Sequence, residues 1–253
     1  MKIDNKRIRD ISFAVVGLAF GITLIAFVDD KTKVQKCQGL EVIIDDNNEQ
    51  AFVSANDIKQ YLTRGGSEPL IGKVLNAVNL STLEERVKEI KQIQYSEVYG
   101  DLKGMVYVKV TPYIPFARIL GSGRSKDRYV DEKGNLFPMS KYFTARVPVL
   151  SGSYFTNKTT LGDEANAPIM EFIKTISENE FWNAQIAHMH ISNNGQIVLV
   201  PVLGNHIIEF GKAENVETKL AKLEVFYKQI LPVKGWDTFK KVKVQYDHQI
   251  VCE

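Results

Sequence analysis

TPYIPFARIL, residues 111–120, decides how this chain is divided. Pro112 and Pro115 each lack a backbone N–H, so a strand running through them would lose ladder hydrogen bonds; they mark a hinge or a sheet edge. Just before them, Val106, Val108 and Val110 alternate with Tyr107, Lys109 and Thr111, the period of a half-buried strand. A second run, residues 93–99, is joined to it by a turn over residues 100–104. Farther back, Ser81 and Glu84 have the spacing of a capping box, and Leu83, Val87 and Ile90 share one helical face. Ser54 and Asp57 repeat that spacing, and Gly65-Gly66 ends the helix they open. Leu40 to Ile44 is a short apolar strand closed by Asp45-Asp46-Asn47-Asn48. The predicted order over residues 39–118 is strand, helix, helix, strand, strand.

Beyond the prolines, strands dominate residues 119–253. Residues 129–139 carry the turn Glu132-Lys133-Gly134-Asn135, and residues 146–150 form another short strand. Pro168 opens a helix with Ile169, Phe172, Ile173 and Ile176 on one face. Residues 187–191 and 197–200 flank Asn194-Gly195, a pair that favours the tight turn of a β-hairpin. After a strand at residues 207–210, Val216, Leu220, Leu223, Tyr227 and Ile230 form the stripe of a last helix. Residues 242–252 supply a final strand or a bent pair of strands.

The 253 residues, 28.6 kDa, allow one large or two modest domains, and 44% hydrophobic with 25% charged residues is a globular balance. Thirty-two basic residues oppose 30 acidic ones along the whole chain, which excludes nucleic acid as the main partner. Two cysteines, Cys37 and Cys252, define neither a metal cage nor a disulfide framework.

ISFAVVGLAFGITLIAFV, residues 11–28, is an 18-residue run without a charge, long enough at about 1.5 Å per residue for a transmembrane helix. The run is long for a cleaved signal, and Ala26-Phe27-Val28 puts bulk where small residues precede cleavage. Lys2, Lys6, Arg7 and Arg9 precede it, which predicts a cytoplasmic tail of residues 1–10, a linker over residues 29–38 and an extracytoplasmic remainder. The expected topology is a single crossing of a membrane with the bulk of the chain on its far side.

Chemistry-bearing motifs are sparse. His188 and His190 would share one strand face, but no third ligand accompanies them. Gly121-Ser122-Gly123-Arg124 lacks P-loop spacing and its Lys-Ser/Thr, and Ser151-Gly152-Ser153 is not a nucleophile elbow. The reading is a non-catalytic protein without cofactor or metal.

TPYIPFARIL, followed by YVDEKGNLFP (residues 129–138), VPVLSG (147–152) and VKVQY (242–246), resembles the FtsQ/DivIB family of bacterial cell-division proteins. The resemblance implies an α+β chain: an N-terminal transmembrane helix, a POTRA-like βααββ domain over residues 39–118, then a mixed β-sheet domain with flanking helices over residues 119–253. It implies a divisome scaffold at the septum, in a bacterial inner membrane crossed once with the bulk of the chain periplasmic, that binds FtsB and FtsL and helps control septal peptidoglycan synthesis by FtsW/FtsI. An exposed edge strand suits that role, because its unpaired N–H and C=O groups recruit a partner segment as an added strand. Carried over, the partner-binding residues are Tyr246, His248, Ile250 and Cys252 on one terminal strand, against the alternative that Tyr246 packs in the core. The competing functions are a POTRA-containing envelope assembly or secretion component and a membrane-anchored cell-wall hydrolase.

Overall fold

The computed structural model describes residues 15–20, 22–23, 35–45, 52–123 and 125–253. It divides into two compact units, Met1–Pro112 and Tyr113–Glu253.

In the first unit, β1 (Gly39–Ile44), α1 (Ala55–Leu62), α2 (Leu80–Lys88), β2 (Ile93–Gly100) and β3 (Met105–Pro112) form a three-stranded sheet of order β1-β3-β2 with two helices. β2 and β3 are an antiparallel hairpin, and β1 lies parallel to β3. The alternation in β3 buries Val106, Val108 and Val110, and α1 and α2 contribute Ile58, Leu62, Leu83 and Val87 to the same core. Ser54 caps α1 by accepting from Asn56 N–H at 3.2 Å. The cap of α2 is Asn79, which accepts from Thr82 N–H at 3.1 Å, and not Ser81. Asn79 lies one residue outside the helix in extended backbone, the geometry a capping side chain needs, whereas Ser81 is already helical.

The second unit is built on a nine-stranded sheet. Its strands are β4 (Ala117–Ile119), β5 (Arg128–Val130), β6 (Leu136–Pro138), β7 (Val149–Ser151), β8 (Ile186–Ile191), β9 (Ile197–Pro201), β10 (Ile207–Gly211), β11 (Lys241–Lys243) and β12 (Val251–Cys252). They lie in the order β12-β11-β10-β9-β8-β7-β4-β5-β6. The helices are α3 (Ala167–Glu178), α4 (Glu180–Gln185), α5 (Val216–Val225) and α6 (Leu231–Lys234), with a π-helical stretch Phe226–Ile230 between the last two. Ile169, Phe172, Ile173 and Ile176 of α3 and Leu220 and Leu223 of α5 pack with Leu150, Met189, Leu199, Ile208, Phe210 and Val242 of the sheet in one core. Phe226 and Tyr227 at the start of the π stretch are both buried against the same core.

The membrane-spanning expectation for residues 11–28 is corrected. Residues 15–20 and 22–23 of that run are helical, and the rest lies outside the described residues, as does the tail 1–10. Among the described residues no helix is long and apolar enough to cross a membrane. The fold class therefore loses its transmembrane helix, and the single-pass inner-membrane location with a periplasmic bulk, drawn from it, is withdrawn.

Candidate functional site

A sheet of nine strands in open order has two free edges, and these fall on β6 and β12. The β6 edge ends in Pro138, which has no N–H to offer a partner. The β12 edge differs. β11 is held between β10, parallel, and β12, antiparallel, so only β12 has an open side.

The ladder sets which groups face outward. Glu253 N–H donates to Lys241 O at 2.9 Å and Lys241 N–H donates back to Glu253 O at 3.0 Å. This is the closely bonded pair of an antiparallel ladder, so the preceding pair, Val242 opposite Cys252, is the non-bonded one. The N–H and C=O of Cys252 consequently point away from β11. Its thiol side packs on the core together with Ile250, and burial pushes the Cys252 thiol pKa up. Both Cys252 and Cys37 are free thiols.

Residues 246–252 are not one strand. Tyr246 and His248 lie in the turn that reverses the chain between β11 and β12, and His248 adopts φ +57°, a left-handed conformation. Tyr246, His248 and Ile250 are therefore not successive neighbours on one strand face, although they flank the same short edge. The Tyr246 ring is 44% exposed, outside the core. The alternating pattern of the sequence carried no mark of the reversal, because Asp247-His248 is not one of the Gly-containing pairs that announce a tight turn.

Two charged groups that the sequence reading passed over hold this region. The Lys222 ammonium of α5 donates to Val244 O at 2.7 Å and Tyr246 O at 2.6 Å. The Lys243 ammonium contacts Glu253 Oε1 at 2.6 Å, which lowers the Glu253 carboxyl pKa and raises that of Lys243. Nothing in the local sequence singles out Lys222 among the lysines of an amphipathic helix.

His188 and His190 do share one face of β8, with His190 Nδ1 3.0 Å from Ser151 Oγ of β7. Among the described residues no group of three or more His, Cys, Asp or Glu is placed to hold a metal ion. Arg124 of the glycine-containing loop lies outside the described residues.

Residues 35–111, the region of the βααββ unit, match the model of the POTRA-like domain, which gives the class of the first unit. Residues 114–253, more than half of the chain, match the family FtsQ/DivIB, C-terminal related, and the chain belongs to that family. Its role is therefore divisome-related, and like the members of that family it is a non-catalytic scaffold. No curated protein matches the sequence.

Proposed function

We propose that this scaffold takes up an extended segment of an FtsB-type coiled-coil division protein as an added strand on β12, with an FtsL-type protein in the same complex. Through that complex it helps control septal peptidoglycan synthesis by FtsW/FtsI. The observation that carries the reading is the outward N–H and C=O of Cys252 at the open edge of the nine-stranded sheet. Val251 and Glu253 are engaged with β11 and anchor the edge from behind, while the exposed Tyr246 ring beside it supplies an aromatic contact. Family membership supports the choice of partner.

Cys252→Pro tests the reading. It removes the one outward donor of β12 and leaves the bonded pair Lys241–Glu253 in place. A lost backbone hydrogen bond, about 1–1.5 kcal/mol, weakens capture of purified FtsB by roughly tenfold. The second variant, Tyr246→Ala, removes an exposed ring without touching the ladder and also weakens capture. Undiminished FtsB binding by both variants, with unchanged circular dichroism, overturns the proposal.

A further inference from the structure

We infer that the turn between β9 and β10, residues 202–205, is a proton-operated flap: a proton taken up by His206 lifts it and bares the aromatic cluster beneath. His206 is 1% exposed, just ahead of β10. Its Nε2 lies 2.9 Å from the Tyr227 hydroxyl, and among the described residues its buried Nδ1 has no hydrogen-bond partner. The turn sits directly on that nitrogen. Gly204 has φ +92°, and a Cβ there would lie 2.8 Å from His206 Nδ1 and 3.4 Å from Trp236 O. Beneath it the Tyr227 ring stands 5.7 Å from the imidazole, 6.0 Å from Phe181 and from Trp182, and 6.2 Å from Trp236, centroid to centroid.

A neutral imidazole meets Tyr227 with one nitrogen and leaves the other bare. Protonation makes both nitrogens donors and adds a charge, which is costly to bury without a partner. None of the surrounding elements supplies one. The π stretch offers the Tyr227 hydroxyl, whose own pKa burial pushes up to about 12, while its Lys228 is exposed and paired with Glu224. The segment after α6 offers Asp237, which already accepts from Asn205 Nδ2 at 2.8 Å, and the exposed Lys234 and Lys240. From α4 comes the uncharged Gln185, and Glu209 of β10 pairs with Lys241 of β11 at 3.3 Å. Burial alone accordingly lowers the His206 pKa.

The flap is the part that yields first. Val202 and Leu203 are 56% and 57% exposed, and the turn is tied down by Val202 N–H to Gln185 O at 2.7 Å, by the Gln185 amide to Leu203 O at 3.5 Å and by Asn205 to Asp237. The strands on either side bury Leu199, Ile208 and Phe210 completely. Opening a turn with few buried contacts costs far less than unfolding the strands it joins, so the proton is admitted while the ladder holds. Once the turn lifts, Trp182 and Tyr227, each 4% exposed when it is closed, join Phe181, Leu203 and Trp236 in one apolar surface. The inference uses none of the β12 residues and stands apart from the partner reading.

The chain has two tryptophans, and both belong to this cluster. In the full chain carrying Trp236→Phe, acrylamide therefore reads Trp182 alone. Its quenching rises roughly threefold or more between pH 7.5 and pH 5, while the ladder amides of β8 and β10 keep their hydrogen-exchange protection. Adding His206→Gln, which cannot titrate, removes the rise. The inference is overturned by flat quenching, by a rise that the glutamine variant retains, or by a rise accompanied by loss of ladder protection, which would be unfolding of the sheet. Should His206→Gln fail to fold, the imidazole resonances of His206 in the Trp236→Phe chain decide: their titration midpoint coincides with that of quenching, and a separate midpoint overturns the inference.

Discussion

Lys222 and Tyr246 are joined by a charge-assisted hydrogen bond, the ammonium donating to the Tyr246 backbone oxygen at 2.6 Å while also reaching Val244 O at 2.7 Å. One side chain from α5 thus satisfies two carbonyls that have left the β11 ladder and turn toward β12. The connection from β11 to β12 spans residues 244–250, long for a hairpin, and the Lys222 tie lies within it.

Lys222→Met keeps the aliphatic stem of the side chain and removes the donor. Two carbonyls then lose a charged partner, and a loss of about 1.5–3 kcal/mol is expected, with part recovered by water at this half-exposed site. Hydrogen exchange is the specific readout: the amides of Val251 and Glu253, bonded to β11, speed up in the variant, and amides of β8 and β9 do not. Uniform loss of protection across the sheet would assign Lys222 to general stability instead.

Gly134 is the position where one added methyl does most harm to the β5–β6 turn. Its φ of +82° is strained for any L side chain, and a Cβ there meets backbone and not a yielding side chain. Gly134→Ala is expected to lower stability by about 2–4 kcal/mol, read as a shift of the urea midpoint with an unchanged slope. Gly195→Ala is the control. Its φ is +78°, but nothing lies within 4 Å of its Cβ position, so it shows the conformational cost alone, about 1 kcal/mol.

These positions also show how far the sequence could be read. Periodicity identified the buried face of β3 and of α3 correctly, because Val106, Val108 and Val110, and Ile169, Phe172, Ile173 and Ile176, answer to local geometry alone. The hairpin at Asn194-Gly195 was legible for the same reason, Gly195 taking the left-handed conformation that its turn requires. The cap at Asn79 was missed because a serine two residues later fits the same spacing rule. The carboxyl-terminal edge was legible only in part. A bent pair of strands over residues 242–252 was one of the two readings, but the place of the bend was not legible: alternation extends through Tyr246 and His248, and the Lys222 tie to Tyr246 O comes from 24 residues away, a range that no local pattern encodes. The membrane span read from the apolar run at residues 11–28 has no counterpart among the described residues, where no helix is long and apolar enough to cross a membrane.

The last prediction concerns acid. His206 is buried, with Nε2 2.9 Å from the Tyr227 hydroxyl and with no partner for Nδ1. Burial lowers the His206 pKa and pushes that of Tyr227 up to about 12, so the pair is neutral at pH 7. The unfolded chain, with an ordinary histidine pKa of about 6.5, binds a proton more readily than the folded one. Stability from this group is therefore fully present above about pH 6.5 and is lost as pH falls from there toward the depressed folded value, by at most about 1.4 kcal/mol per pH unit for one proton. His188 is depressed in the same direction, by burial and by His190, so the parent protein carries both contributions. Urea midpoints at pH 7.5 and pH 5 separate them: His206→Gln, which cannot titrate, loses less between the two values than the parent, and the difference is the share of His206. An equal loss in parent and variant would mean that the folded protein admits the proton without strain, as it would if Nδ1 reached water.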